Sequence, residues 1–386
     1  MNCTEPGREI PPRAFLNEEE TLDTLANNAK LLNRPVSVCG INTKDGEIHL
    51  KVTIKDVAKR AGVTPAAVSR IMNGDRDFTV RDETRRRVLQ AIKDLDYHPN
   101  AIARSLKSKK TNTIAVVIPD ITALFYPAII KGVQVAAREN GFSVILCSTD
   151  EDPDIELEYL KLLAEKQTDG IILVSAYSQD PIVAKAMEWD VPCVLVNRSA
   201  DNGNHLFVGA DDCYGAQLAT NHLITLGHRK VAHISGLMYT NTGVERLRGY
   251  RLALNEHKLP FRSEYVVEAT YDEKGGYNAM CRLLELPDPP TAVFTANDDI
   301  AMGAMEAIGQ YGKKIPDALS LIGFNDLWIS KKLSPPLSSV HVPLYDMGYV
   351  AATRLIDQIF GKDDGERRIL FKPELMVRAS VKPYKG

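Results

Sequence analysis

The chain has 386 residues, 44% of them hydrophobic and 25% charged, with a formal net charge of −3. That composition belongs to folded globular proteins and leaves room for more than one domain. It excludes a membrane protein, since no apolar run reaches the length of a span, and a disulfide scaffold, since six cysteines are spread over the chain with no CxxC pair and no His/Cys cluster.

Residues 1–50 carry five Lys+Arg and eight Asp+Glu. Within them NEEETLDTLANNAKLLN has the spacing of an amphipathic helix capped by Asn17. The segment reads either as an extension, regulatory or disordered, or as an over-long reading frame whose true start is at Leu50; the second is the expectation. The opening MNCTEPGREIPPR lacks the basic-then-apolar order of a signal peptide. With the scattered thiols, this points to a cytoplasmic protein.

TIKDVAKRAGVTPAAVSRIMNG, Thr53 to Gly74, holds two short helical patterns with a glycine between them. Thr53 is an N-cap, and Asp56 places a carboxylate in the first turn. Ile54, Val57, Ala58 and Ala61 form one buried stripe, and Gly62 supplies a left-handed stop. Thr64 caps the second helix, and Pro65 takes its first position. Val68, Ile71 and Met72 face inward. Ala66, Ser69, Arg70 and Asn73 face outward. Two helices joined by a tight turn, the second with a polar face, describe a helix-turn-helix. An ordinary helical hairpin has the same local pattern; charge separates the two. A third helix, Asp82 to Leu95, follows with Val88, Leu89, Ile92 and Leu95 on one side. Between Lys51 and Lys110 there are 15 Lys+Arg and 7 Asp+Glu, a balance of +8, so the rest of the chain sums to −11. A basic segment on an acidic protein is the footprint of a phosphate binder.

YHPNAIARSLKSKKTN comes next, long enough for two turns of helix. Ala103 and Leu106 share a face among Arg104, Lys107, Lys109 and Lys110. An apolar side chain amid cations suits a wedge in a DNA minor groove; a plain linker whose leucine packs on a neighbour is the bland alternative. From Thr113 the apolar runs TIAVVIP, SVILCST, GIILVSA, PCVLVN, VAHISG, YVVEAT, TAVFTAN and LSLIGFN alternate with helical segments such as 128–139 and 155–166. Alternation of this kind implies parallel sheets covered on both faces. Two series suggest two doubly wound subdomains, with the boundary near VGADDCYG and a return near SSVHVP.

Ligands in such sheets bind beyond the carboxyl ends of strands. The residues there are Phe125 and Tyr126, Asn197 and Arg198, Thr242 and Arg246, Tyr271, Asn297, and Asn325. Aromatic faces with amides and a guanidinium suit a sugar or nucleoside. Asp298 and Asp326 sit at the same ends but are as apt to cap helices. No GxxxxGK[ST], HExxH or GxSxG occurs, so neither an enzyme nor a bound cofactor or metal is expected.

TIKDVAKRAGVTPAAVSRIMNG, ETRRRVLQAIKDLDYHPNAIARSLKSKKTNTIAVVIPD, GHRKVAHISG, TAVFTANDDIAMGAM and LSLIGFND together resemble the lactose/galactose repressor family of bacterial transcription regulators, in order and spacing over roughly Lys51 to Val381. Arg81 departs from the serine cap common there. The resemblance implies an N-terminal all-α helix-turn-helix domain (51–98), a hinge helix and linker (99–110), and an α/β domain of the periplasmic-binding-protein type I fold (111–386). In the latter, an N-subdomain of about 111–209 and 341–367 pairs with a C-subdomain of about 210–340 and 368–386, linked by three crossovers. It implies DNA contacts from Thr53, Thr64, Pro65, Ala66, Ser69, Arg70, Asn73, Tyr97, Asn100, Ala103, Arg104 and Leu106. Arg70 is the best match for a guanine edge. Arg246, Asn297 and Tyr271 resemble effector contacts. Asn197 and Asn325 stand where many sugar-binding relatives carry aspartate. With only KPYKG after Val381, a homodimer is expected, repressing a palindromic operator under control of a small molecule, most simply a carbohydrate. The alternative within the family is a global carbon regulator whose co-repressor is a phosphorylated carrier protein.

Overall fold

The structure, a computed structural model, describes residues 52–72, 78–97, 110–165, 168–178, 183–184, 188–189, 191–200, 205–362 and 365–385, together with two strands at 41–44 and 47–50. The chain divides into two compact units, Met1–Arg104 and Ser105–Gly386. No described helix is long and apolar enough to cross a membrane.

In the first unit, β1 (Ile41–Lys44) and β2 (Glu47–Leu50) pair antiparallel, Ile41 opposite Leu50. These two strands fall within the segment 1–50. The proposed amphipathic helix capped by Asn17 lies outside the described residues. Helices α1 (Ile54–Ala61), α2 (Pro65–Met72) and α3 (Asp82–Asp94) follow. The first cap works through Asp56. Its Oδ2 accepts the Thr53 backbone N–H at 2.9 Å and the Thr53 hydroxyl at 2.7 Å, and these bonds hold its pKa low. Gly62 turns the chain with φ +67°, a conformation costly for a residue with a Cβ. Thr64 then accepts the Ala67 N–H at 3.2 Å. Arg81 makes no side-chain cap for α3, as its departure from serine implied. Val57, Ala58, Val68, Ile71, Val88 and Ala91 form the core of the three helices. Leu89 is not part of it. At 51% exposure it lies outside the stripe made by Val88, Ala91, Ile92 and Leu95, because one residue turns a helix by about 100°.

The second unit is built on two six-stranded sheets. The first runs β13-β7-β6-β5-β3-β4 and is parallel throughout: β3 (Thr113–Ile118), β4 (Ser143–Ser148), β5 (Gly170–Leu173), β6 (Cys193–Val196), β7 (Leu206–Ala210) and β13 (Arg368–Phe371). The second runs β14-β12-β11-β10-β8-β9: β8 (Val231–Ser235), β9 (Val266–Glu268), β10 (Ala292–Thr295), β11 (Ser320–Asn325), β12 (Ser338–His341) and β14 (Glu374–Met376), the last antiparallel to β12. Strands buried on both faces read as continuous Val/Ile/Leu runs, which made them visible in the sequence. The assignment of 368–386 to the C-subdomain needs correction. Arg368–Phe371 pairs with β7 in the first sheet, and only from Glu374 does the chain return to the second. The chain thus passes between lobes three times, after β7, β12 and β13.

Between the strands lie α4 (Tyr126–Glu139), α5 (Pro153–Ala164), α6 (Asp212–Thr225), α7 (Asn241–Glu256), α8 (Glu273–Leu284), α9 (Asp298–Gln310) and α10 (Leu344–Ile359). Helix α5 starts two residues before the expected 155 because Asp152 caps it, accepting the Asp154 N–H at 2.8 Å, with Pro153 at the first position. Helices α4 and α10 cross at Gly132 and Gly348. A methyl group on Gly132 would lie 2.1 Å from the Tyr345 carbonyl oxygen, so the backbones touch there. The entry to β3 is fixed by Asp169, whose carboxylate accepts the Thr111 N–H at 2.7 Å, the Thr111 hydroxyl at 2.9 Å and the Asn112 N–H at 2.8 Å.

Candidate functional site

The carboxyl ends of the two sheets face a common cleft of about 410 Å³, measured with its open mouth. All nine residues picked from strand ends line it: Phe125 and Tyr126 after β3, Asn197 and Arg198 after β6, Thr242 and Arg246 on α7, Tyr271 after β9, Asn297 after β10, and Asn325 at the end of β11. Ala123 and Asp299 line it too and were missed. Asp299 had a signal in the Asn297-Asp298-Asp299 run at the start of α9. The first carboxylate of that run turns inward and the second toward the cleft.

Most of these side chains are held by the protein itself. Arg246 donates from Nε to Asp212 Oδ1 at 2.8 Å and from its NH1 nitrogen to the Ala296 carbonyl, and its guanidinium lies 3.9 Å from the Phe324 ring centroid. Burial raises the Asp212 pKa while Arg246 opposes the shift. Asn297 caps α9, accepting the Ile300 N–H at 2.8 Å and donating to the Tyr271 carbonyl at 3.1 Å. The Tyr271 hydroxyl sits 2.9 Å from Thr242 Oγ1 and 3.1 Å from Thr240 Oγ1. Arg198 is 6% exposed, 3.7 Å from Glu151 and 5.3 Å from the Tyr271 ring. Phe125 packs edge to face on Tyr126, and burial pushes the Tyr126 hydroxyl up to about 12. Asn325 differs from its neighbours. Its Oδ1 is buried in the cleft wall with no hydrogen-bond partner among the described residues.

The two other aspartates weighed as ligands are structural. Asp298 is fully buried and accepts the Leu327 N–H and the Ser330 hydroxyl at 2.7 Å each and the Ser339 hydroxyl at 2.6 Å; burial pushes its pKa up to about 7. Asp326 pairs with Arg378 at 2.6 Å.

In the first unit, Thr64, Pro65, Ala66 and Arg70 are exposed on or beside α2, and Ser69 is half-buried. The Arg70 guanidinium lies 5.3 Å from the Phe78 ring centroid, a neighbour the sequence had not singled out. Thr53 is exposed at the start of α1. Tyr97 packs against the three-helix core, so its ring has a structural use. Asn73, Asn100, Ala103, Arg104 and Leu106 lie outside the described residues. Among the described residues no group of His, Cys, Asp and Glu is arranged to hold a metal ion.

Residues 53–100 match the family described as bacterial regulatory proteins, lacI family, and residues 111–378 match periplasmic binding proteins and sugar binding domain of LacI family. The chain belongs to the LacI family. This LacI-family protein is 36% identical over 331 residues to the HTH-type transcriptional repressor PurR of Histophilus somni, an alignment covering 86% of this chain and 99% of the relative. It is also 36% identical to Catabolite control protein A of Priestia megaterium, over 86% of this chain and all of the relative. Among solved structures, a complex of the transcriptional regulator CelR with cellobiose superimposes with a TM-score of 0.67 at 32% identity, covering 85% of this chain and 99% of the other. The chain is accordingly a DNA-binding transcriptional regulator with a LacI-type helix-turn-helix and a periplasmic-binding-protein type I effector domain, and the PurR relative is a transcriptional repressor.

Proposed function

We propose that the protein is a cytoplasmic, homodimeric repressor whose operator affinity is set by a neutral polyhydroxylated ring compound, a sugar or nucleoside, bound in the cleft, and that it catalyses no reaction. The observation that carries the ligand class is the Asn325 side-chain oxygen Oδ1, buried and unpartnered in a cleft that it shares with two guanidiniums, each already beside a carboxylate. An unmade hydrogen bond in a buried wall is costly until a ligand hydroxyl or amine supplies it. A phosphate or carboxylate would have to displace Glu151 or Asp212 from their arginines. A dimer follows from the way helix-turn-helix proteins read two half-sites about one helical turn apart.

The test is fluorescence anisotropy on a selected operator, with and without sugars and nucleosides, using wild type and Asn325→Leu. The reading requires one such compound to shift operator affinity in the wild type and to lose that effect in the variant. If none of them shifts it, the ligand class is wrong. A second reading, favoured by the match to Catabolite control protein A over that relative's whole length, is a global carbon regulator answering to a phosphorylated carrier protein. In that case the cleft compounds alone leave operator affinity unchanged and the carrier raises it.

A further inference from the structure

The cleft occupies the carboxyl ends of the parallel strands β8 to β12. The loops that lead into β8, β9, β10 and β11 lie at the opposite end of the second sheet, at 226–230, 257–265, 285–291 and 311–319. Side chains and the chain's tail knit these loops together. His228 Nδ1 is 2.9 Å from Thr291 Oγ1, and its Nε2 is 3.1 Å from Ser320 Oγ and 3.2 Å from the Lys382 carbonyl oxygen. The Tyr384 N–H donates to the Leu226 carbonyl at 2.7 Å. Arg262 reaches Asp288 at 2.9 Å, and Lys382 reaches Asp317 at 2.8 Å. The four loops and the tail 382–385 therefore make one surface.

That surface is basic on a domain that is acidic. Residues 111–386 hold 27 Lys+Arg against 35 Asp+Glu, whereas the four loops and the tail hold eight against four. Three of those four carboxylates are engaged: Asp288 by Lys230 and Arg262, Asp317 by Lys382, and Glu285 by the Tyr311 hydroxyl. Arg229, Lys258, Lys313 and Lys385 are exposed and have no ion pair among the described residues. Lys314 is exposed next to Lys313. The surface is also apolar in places. A groove of about 740 Å³, measured with its open mouth, runs between the last turns of α9 and the loop into β12, with Met305, Ile308, Ile315 and Pro335 in its wall alongside Lys313 and Lys314. Phe261, Tyr311 and Tyr384 expose their rings at the same end of the sheet. Exposed apolar surface rimmed by polar residues marks a site of protein contact.

We propose that this end of the second sheet docks an acidic peptide segment of a partner protein, with apolar side chains in the groove and carboxylates over Lys313 and Lys314. Charge complementarity selects the occupant. A nucleic acid would use the cations but leave the groove and the three exposed rings idle. The rest of the domain repels an acidic partner, so the patch also orients its approach. The cleft lies at the other end of the same strands. Docking here is therefore independent of the cleft ligand, and both sites can be filled at once.

The experiment uses the full chain saturated with a selected operator duplex, so that DNA occupies the basic residues 51–110. A phage-displayed library of random peptides, about twelve residues long, is selected on this complex. The peptides recovered should combine Asp and Glu with Leu, Phe or Trp. Lys313→Glu with Lys314→Glu, both at exposed positions where folding is not at stake, should weaken them by about tenfold or more. Met305→Ala, which trims the groove wall, should weaken them by about threefold or more. Operator affinity should be unchanged in both variants. A library that yields no binder overturns the proposal, as do peptides without acidic residues, or acidic peptides that bind the double lysine variant as tightly as wild type. If that variant instead loses binding of a second, random-sequence duplex while peptide binding persists, the surface serves nucleic acid and the peptide reading falls.

Discussion

Arg246 and Asp212 form an ion pair 2.7 Å long on the wall of the cleft, each side chain only 4% exposed. A buried pair of this kind is costly to break, because the remaining charge has no water to turn to. Arg246→Ala should destabilise the effector domain by about 3–5 kcal/mol and abolish the effect of ligand on operator binding, with basal operator affinity near normal. Urea unfolding and operator titrations check both. Wild-type stability together with an intact ligand response would show the pair to be dispensable.

On the DNA side, Arg70 is exposed on α2 and rests near Phe78. The prediction is that this guanidinium makes a bidentate bond to a guanine edge. Arg70→Ala should cost about 1–3 kcal/mol at one base pair of each half-site and relax the preference there. Binding-site selection on wild type and variant gives the answer. Identical preferences would remove the assignment.

Leu106 lies outside the described residues, and its prediction rests on the sequence alone. The segment 100–108 is too short to be stable as an isolated helix, so it should order only where two copies meet on DNA. Leu106→Ala should weaken operator binding far more than random-sequence binding, which is carried by phosphate contacts, and should remove a bend in the duplex. The two affinities measured at one salt concentration, with a gel assay for bending, decide it. An unchanged specificity ratio with the bend retained would return the segment to a linker.

Asp298 carries a pH dependence. Its pKa is raised by burial from 3.8 to about 7, so the folded state holds a proton that the unfolded state has already released between those values. Stability from this group is therefore full below about pH 4 and is lost as pH rises through about 7. Between pH 5 and 7 the loss should be about 2–3 kcal/mol in wild type and absent in Asp298→Asn. Denaturant midpoints at the two pH values test it. Parallel curves for the two proteins would mean that the three donors around the carboxylate keep it charged throughout.

The cleft was legible because parallel sheets present their ligands at strand ends, and a strand end is visible wherever an apolar run stops. The two asparagines have a local reason as well. Asn197 and Asn325 have φ of +64° and +101°, and asparagine tolerates the left-handed region better than most residues with a Cβ. Leu89 was misplaced by one step around a helix. The lobe of Arg368–Phe371 depends on which distant strand it pairs with, and a four-residue edge strand carries no local mark of that.

Three passages of chain, after β7, β12 and β13, join the two lobes. Asp169 grips the backbone at Thr111 and Asn112 through three bonds, and the first lobe therefore carries the start of its own strand β3 without slack. Residue 110, next in the chain, is thereby tied closely to the first lobe. Loosening the grip, as in Asp169→Ala, would introduce play at that joint: the sensor would still hold its ligand, and the message would be lost on the way out.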